Sequence, residues 1–553
     1  MSKKFALIHL QLNKNHQSCQ QIKREKISYQ AIQLFKLIRN NNTFNKVMRV
    51  QMKLVLLISL TICLSYCELN VKVDPKTTLF VDQFNRTRVY HGLNVVYKVF
   101  PFYPPNNTFD PLNSFVEKDA RDLRNWGFNS IRLFMAWEAF EPVRQQYNYT
   151  YLGELQKIVE LCQQYNISVF LDAHQDVYNR FFCGEGMPDW TIMDNTNKTF
   201  PYPLPKNFLR RDDQGYPLIE DCLKVGFSTY YLTKDGSQQG ENLFLNYQGL
   251  ADDFANMWGE VAKYFSKLTH LTNFLGYEII NEPFGVSPWN HFLDWIWPGR
   301  GNNKYMLPFY QKVADKIWAN HPDSMVFYEP TVVDYLSGGF SHNLGHPEKE
   351  VLSYHVYCMA VNPVGDPFSR ILCDILDSIF IGGKEKNVQK IHVGGFLTEF
   401  GALSNSTKSA EELDYLLDKA DNHLRSWAYW QYKGYADFTT AAGPGSEGFY
   451  TEDGQLQSNK VKHLSRPYAQ AICGEVQKSK FNSNKVTYEL IYVSGTCSEQ
   501  TEIYLSTEYW FTNLKFEKKE NIKEIIPNAQ LPGYFTIIAS EPNKKVHLIV
   551  KNN

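Results

Sequence analysis

Several absences narrow what this chain does before any motif is considered. No Cys-x-x-Cys pair occurs, and the 14 histidines do not cluster at ligand spacings, so no metal-binding pattern is legible. No glycine-rich phosphate loop follows a strand-like run, which argues against an open, doubly wound nucleotide-binding sheet. Internal repeats and low-complexity segments are missing, so no repeat architecture is indicated. The apolar stretch over 54–64 falls short of the roughly 20 residues a comfortable membrane span needs. Positive charge is scarce outside the N-terminus: residues 1–67 carry a net +10 and the remainder −11. An acidic body argues against a nucleic-acid partner.

What remains is a chain of 553 residues, 43% hydrophobic and 15% aromatic, ample for a large core and a second domain. Aromatic faces stack on pyranose rings, although large cores use them too. Residues 1–67 read as a leader. Within it, Met52-Lys53, the apolar stretch and Ser65-Tyr66-Cys67 form a secretory signal over about 48–67. The alternative is an uncleaved signal anchor. The expected location is therefore extracellular or the lysosomal lumen, or tethered to a membrane if the anchor persists. Sequons at Asn85, Asn106, Asn148, Asn166, Asn197 and Asn405 fit secretion. Seven cysteines follow Cys67, enough for three disulfides and one free thiol. Cys162 shares a helical face with Leu155, Ile158 and Val159 and is the expected free one. Cys183 with Cys222, Cys358 with Cys373 and Cys473 with Cys497 are the candidate pairs.

From about 88 to 475 short apolar runs alternate with helical patterns. Strands are expected over 89–97, 131–137, 169–173, 274–280, 325–328, 351–357, 392–398 and 427–432. Helices are expected over 115–126, 151–165, 251–265, 308–319, 368–380, 410–424 and 459–472, with an irregular insertion over 177–245. Such alternation implies a parallel sheet, and eight units close naturally into an α/β (β/α)8 TIM barrel. The expected domains are a catalytic barrel over 68–475 and a small antiparallel β-sandwich over 476–553.

In such a barrel the active site lies at the carboxyl ends of the strands. The polar residues expected there are Lys98, Arg132, His174, Asp176, Asn281, Glu282, His355, Tyr357, Glu399 and Trp430. Glu282 and Glu399 each end a short apolar run, and two carboxyls so placed are what glycoside hydrolysis by double displacement requires. One must hold a proton for the leaving oxygen while the other attacks ionised, and their mutual repulsion separates their pKa values. Glu282 suits the acid/base, with Asn281 on the sugar 2-hydroxyl. Glu399 suits the nucleophile, with Arg132 keeping it charged and Tyr357 donating to it. His174 and His355 shape the pocket and Trp430 floors it. No metal or organic cofactor is implied.

Asn281-Glu282-Pro283, Ile131-Arg132-Leu133, His355-Val356-Tyr357 and Thr398-Glu399-Phe400-Gly401 resemble glycoside hydrolase family 5. Leu171-Asp172-Ala173-His174-Gln175-Asp176-Val177, Phe182-Cys183-Gly184-Glu185-Gly186-Met187-Pro188 and Arg466-Pro467-Tyr468-Ala469 are similar to the endoglycoceramidases within it. The resemblance implies cleavage of the β-glycosidic bond between glycan and ceramide, with Glu282 as acid/base and Glu399 as nucleophile. It also implies that Lys98 and Asp176 bind hydroxyls of the glucose next to ceramide. An apolar aglycone is supported independently by Trp289, Phe292, Leu293, Trp295, Ile296 and Trp297 after the acid/base, by Met359-Ala360-Val361 after Tyr357, and by the stripe Ile371, Leu372, Ile375, Leu376, Ile379 and Phe380. The expected partner is a glycosphingolipid or another β-glucoside, with transient contact to a membrane surface. The alternatives are a β-glucosidase on glucosylceramide or steryl glucoside, a polysaccharide endoglucanase, and an inactive carbohydrate- or lipid-binding protein.

Overall fold

The computed structural model describes residues 71–197, 202–205, 207–334, 338–440 and 442–553. The leader and its signal segment lie outside the described residues, as does part of the Asn197 sequon. Among the described residues, no helix is long and apolar enough to cross a membrane.

Eight parallel strands close into a barrel in chain order: β4 (His91–Val95), β5 (Ser130–Met135), β6 (Ser168–Ala173), β7 (Phe274–Glu278), β8 (Met325–Tyr328), β9 (Glu350–Val356), β10 (Gly394–Phe400) and β11 (Ser426–Tyr429). Both faces of each strand are covered, so these segments read as apolar runs rather than alternations. Phe170, Phe327 and Phe396, from the alternate strands β6, β8 and β10, pack together inside the barrel, with Phe170 stacked on Phe327 and Phe396 set at an angle to both. The Phe170 and Phe327 centroids lie 4.6 Å apart. Side chains from alternate strands filling one layer make this a packed interior, not a pore. Two residues beyond Phe170, Asp172 pairs in register with Glu278, and the interior turns from apolar to charged. That change of lining marks the catalytic end.

The remaining strands form two antiparallel sheets. One runs β13 (Gly474–Asn482), β14 (Thr487–Ser494), β19 (Lys545–Asn552), β16 (Leu514–Glu520). The other runs β1 (Lys72–Asp74), β2 (Leu79–Val81), β3 (Thr87–Arg88), β12 (Tyr468–Ile472), β15 (Thr501–Tyr504), β18 (Tyr534–Ala539), β17 (Ile522–Pro527). The sandwich therefore recruits residues from before and after the barrel, and its sheets do not begin at 476. Strand β14 alternates strictly between half-exposed and buried positions, as expected for a sheet packed on one face. Arg466 joins this region to the barrel. Its Nε donates to Asp421 Oδ2 at 2.9 Å on helix Thr407–His423, and its Nη2 donates to the Phe481 carbonyl at 3.0 Å on β13.

Four local expectations need correction. The helix expected over 459–472 ends at Leu464, and β12 follows, because Pro467 has no N–H and its ring clashes with a continued helix. The insertion over 177–245 is not irregular throughout: it carries helices Ile219–Cys222, Ser228–Tyr231 and Lys234–Phe244, whose glycines and polar residues hide the periodicity. The helix expected over 368–380 continues through Gly382-Gly383 to Ile391. Strands β13 and β17 fall where polar and charged residues obscured any apolar run. Among the described residues the disulfides are Cys183–Cys222, Cys358–Cys373 and Cys473–Cys497, and Cys162 is free and buried.

Candidate active site

Arg132 lies in the middle of β5, not at its end as expected, and its long side chain runs up the barrel interior, fully buried. There it organises the site. Nη1 donates to Glu399 Oε1 at 2.5 Å and to Asn94 Oδ1 at 3.1 Å, and Nη2 donates to Asn281 Oδ1 at 2.9 Å. Nη2 is also 3.1 Å from Asp172, and Nε donates to Glu278. Burial works against its charge, but Asp172, Glu278 and Glu399 outweigh burial and push its pKa well up.

Glu399 is the second-last residue of β10, beside a register shift between Leu397 and Glu399. Bulges of this kind re-aim side chains next to active sites. Gly401 explains the glycine of the Thr-Glu-Phe-Gly motif: its φ is +108°, and a Cβ there would come within 2.2 Å of the Tyr429 ring. The second carboxyl oxygen of Glu399 accepts from the Tyr357 hydroxyl at 2.6 Å.

Glu282 stands beyond β7 with φ +38°, a left-handed backbone rare for a side chain of its size. Such strain costs on the order of 1–3 kcal/mol and persists only where the surroundings over-determine it. Here the Glu282 N–H donates to Glu329 Oε1 at 2.7 Å, and Gln175 Nε2 donates to the Asn281 carbonyl at 2.9 Å. His355 Nδ1 lies between the two glutamates, 2.7 Å from Glu282 Oε1 and 3.3 Å from Glu399 Oε2. Ligand-type atoms of Glu282, His355 and Glu399 all fall within 4.8 Å of one another, so the two carboxyls face each other.

The electrostatics separate the pair. Burial first, and then the Asp176 charge, raise Glu282 to about 7. Glu399 is raised as well, by burial, with the Arg132 guanidinium opposing it. Among the described residues, Glu282 has no cation within hydrogen-bonding reach comparable to the Arg132 contact of Glu399. His355 is pushed down to about 4, chiefly by burial, and is neutral near pH 7. His174 behaves oppositely: the Asp172 carboxylate, 2.7 Å from its Nδ1, overcomes burial and raises it to about 9.

The other expected residues meet here as well. Lys98 Nζ donates to Asp176 Oδ2 at 2.6 Å and to Thr439 Oγ1 at 2.9 Å, and lies 3.1 Å from Asp437. Trp430 stacks on His174 with 5.5 Å between centroids, and its indole N–H donates to Glu447 at 3.0 Å. Asn281 Nδ2 donates to the Gln175 carbonyl at 3.1 Å. A second ligand-type triad, Glu278, Glu329 and His355, adjoins the first. A dication in either would face the Arg132 guanidinium, so the arrangement suits proton transfer better than metal binding.

Sequence reasoning missed Asn94, Asp172, Glu185, Glu278, Glu329, Asp437, Thr439 and Glu447. Three of these are acids or amides inside apolar strands. Glu329 had a usable signal: it is the first polar residue after Met325-Val326-Phe327-Tyr328, the one barrel strand for which no carboxyl-end residue was expected.

A parallel barrel with two carboxyls facing each other at its carboxyl end is the arrangement of a glycoside hydrolase. Residues 107–436 match the cellulase family (glycosyl hydrolase family 5), and residues 466–531 match the glycoside hydrolase family 5 C-terminal domain. The chain belongs to glycosyl hydrolase family 5. The endoglycoceramidase of Hydra vulgaris is 32% identical over 492 residues, covering 87% of this chain and 88% of that protein. That of Cyanea nozakii is 31% identical over 448 residues, covering 80% and 86%. The Rhodococcus sp. endo-glycoceramidase II solved as its ganglioside GM3 complex superposes with a TM-score of 0.66 at 20% identity, covering 86% of this chain and 99% of that one.

Proposed function

We propose that this chain hydrolyses the β-glycosidic bond between a glycan and ceramide in glycosphingolipids, by double displacement with retention of configuration. The observation that carries this reading is the facing pair Glu282 and Glu399, with Arg132 and Tyr357 on Glu399 and with Glu282 raised to about 7. Glu399 attacks the anomeric carbon while Glu282 gives its proton to the departing ceramide oxygen. Glu282, now ionised, takes a proton from water, which attacks the glycosyl-enzyme and restores Glu399. Lys98 and Asp176 take hydroxyls of the first sugar, Asn281 takes its 2-hydroxyl, and Trp430 lies under its ring.

The lipid side of the reading rests on exposed apolar side chains. Phe292, Leu293 and Trp297 (66% exposed) follow the strand that leads to Glu282. Met359, Phe368 and Ile371 (75% exposed) follow the strand that leads to Tyr357. Apolar patches of this extent mark binding surfaces. The same rim is suited to rest transiently on a membrane surface. Three disulfides favour an oxidising compartment, and with it a secreted or lysosomal location.

The test is purified protein with gangliosides and with glucosylceramide in detergent, products read by mass. Intact oligosaccharide plus ceramide supports the proposal. Glucose from the monoglycosyl lipid alone selects a β-glucosidase, and no turnover of either overturns the glycolipid reading.

A further inference from the structure

We infer that Glu329 is a positioning residue of this reaction: it holds the strained backbone of Glu282 and sets the tautomer of His355, the side chain between the two catalytic glutamates. The inference rests on the double-displacement reading and adds a residue to it.

Glu329 follows β8 and is 3% exposed. Its two oxygens serve different neighbours. Oε1 accepts the Glu282 N–H at 2.7 Å, and Oε2 lies 3.7 Å from His355 Nε2. That ring nitrogen is buried and, among the described residues, has no hydrogen-bond partner. A buried polar atom left this way is unusual in a folded protein. The other ring nitrogen, Nδ1, contacts Glu282. Glu329 and His355 thus brace Glu282 at both ends, one at the main chain and one at the carboxyl.

The proton inventory decides which groups donate. Glu278 and Glu282 face Glu329 with like charge, and Arg132 faces it with opposite charge. Lys384 adds a more distant cation, and the Tyr310 hydroxyl is spent on the Glu329 carbonyl at 2.7 Å. Arg132 is already committed to Glu278 and Glu399. Burial, then Glu278, raise Glu329 well above the usual carboxylate range, so it keeps its proton. With Oε1 occupied as an acceptor, that proton sits on Oε2 and points toward His355 Nε2. The neutral imidazole then carries its own hydrogen on Nδ1 and donates it to Glu282 Oε1. This leaves Glu282 Oε2 as the oxygen that carries the transferable proton. After transfer, the same Nδ1–H stabilises the new carboxylate until water reprotonates it. Glu329 forms no bond to substrate, and its proton never leaves the site.

The variants that test this are Glu329→Gln, Glu329→Ala and Glu329→Leu, assayed on the glycolipid and on an aryl glycoside with a good leaving group. Glutamine keeps an amide oxygen for the Glu282 N–H and turns an amide hydrogen toward Nε2, which lies 3.7 Å from Glu329 Oε2. It is expected to keep kcat within about three-fold and the pH profile unchanged. Alanine and leucine are expected to lower kcat on the glycolipid by about 10²-fold or more, the scale of general acid catalysis. They should affect the aryl glycoside far less, because its leaving group needs no proton, and should move the alkaline limb. Glutamine as damaging as alanine would mean that Glu329 acts ionised and would overturn the proposal, as would equal loss on both substrates. Should the alanine and leucine variants fail to fold, ¹⁵N NMR of His355 in the wild-type enzyme decides. Hydrogen on Nδ1 is expected, and hydrogen on Nε2 sinks the assignment. Trapping a covalent glycosyl-enzyme with a fluorosugar in wild type separates the two levels: no trapped species defeats the double-displacement reading itself, whereas normal trapping with unaltered Glu329 variants defeats this inference alone.

Discussion

The carboxyl end of the barrel and the C-terminal sandwich solve opposite problems with the same amino acids. Between the sheets, Phe481, Leu490, Ile503, Leu548 and Val550 make a dry apolar core. Among the described residues from 474 onward, the buried polar ones are Ser479, Ser494, Thr501 and Ser506, and between β2 and β3 the buried charges Asp82 and Arg86 are paired at 2.9 Å. At the barrel mouth Lys98, Arg132, Asp176, Glu278, Glu329 and Glu399 are all buried within one network. Buried charges are costly unless paired, and each removal leaves another unpaired. The sandwich therefore carries stability, and the rim carries reactivity at the expense of stability.

The comparison is broken most severely at the rim. Glu399→Gln is expected to lower kcat by roughly 10⁴-fold or more, the scale of removing a nucleophile, while glycolipid binding, measured by calorimetry, survives. Glu399→Ala should regain turnover with azide and yield product of inverted configuration, read by NMR. Retention of more than a few per cent of the wild-type rate in Glu399→Gln refutes the nucleophile assignment. Glu282→Gln should cost about 10²–10⁴-fold on the glycolipid and much less on an activated aryl glycoside. Equal losses on both would remove Glu282 from proton transfer.

In the sandwich the effects should reverse. Leu548→Ala is expected to lose about 2–5 kcal/mol of stability, and Arg466→Met about 3–5 kcal/mol by leaving Asp421 without its partner. Both should leave kcat near wild type at temperatures where the protein stays folded. Urea melts beside initial rates distinguish these outcomes, and a kcat loss without a stability loss would dissolve the division of labour.

A pH titration sharpens the contrast further. Glu282 must be protonated to act as acid, so kcat on the glycolipid should fall as pH rises through about 7. The same group links to stability. Its carboxyl releases the proton near its ordinary value of 4.5 when unfolded and at about 7 when folded. The native state thus binds more protons between those values, and its stability declines as pH climbs through that window. Glu282→Gln should flatten that part of the stability profile, and an unchanged slope would point to other buried acids. The smallest effect belongs to the apolar rim. Trp297→Ser and Ile371→Ser are expected to raise KM for long-chain glycolipids by about 10-fold, the scale of a few lost methylene contacts, with no change on a soluble aryl glycoside.

Much of this was legible in the chain. Short apolar runs between helical patterns identified all eight barrel strands, because a strand covered on both faces has no polar alternation to confuse it. Glu282 and Glu399 were visible because each is a carboxylate closing such a run. Arg132 was assigned to the right partner and the wrong place, since a guanidinium reaches the rim from the middle of a strand. The sandwich boundary was misread because β1, β2 and β3 precede the barrel by sequence and join β12 only in space.

The order of apolar runs and the residue types that end them indicated the barrel and the two glutamates at its rim, because these depend on local pattern and on side-chain chemistry, whereas the cysteine pairs were candidates that only the fold joined. The protonation of Glu329 and the contacts of Glu278 and Asp437 were decided only by tertiary structure. A carboxyl's charge depends on how deeply it is buried and on which cation another acid has already claimed, and both are properties of residues brought together from distant parts of the chain.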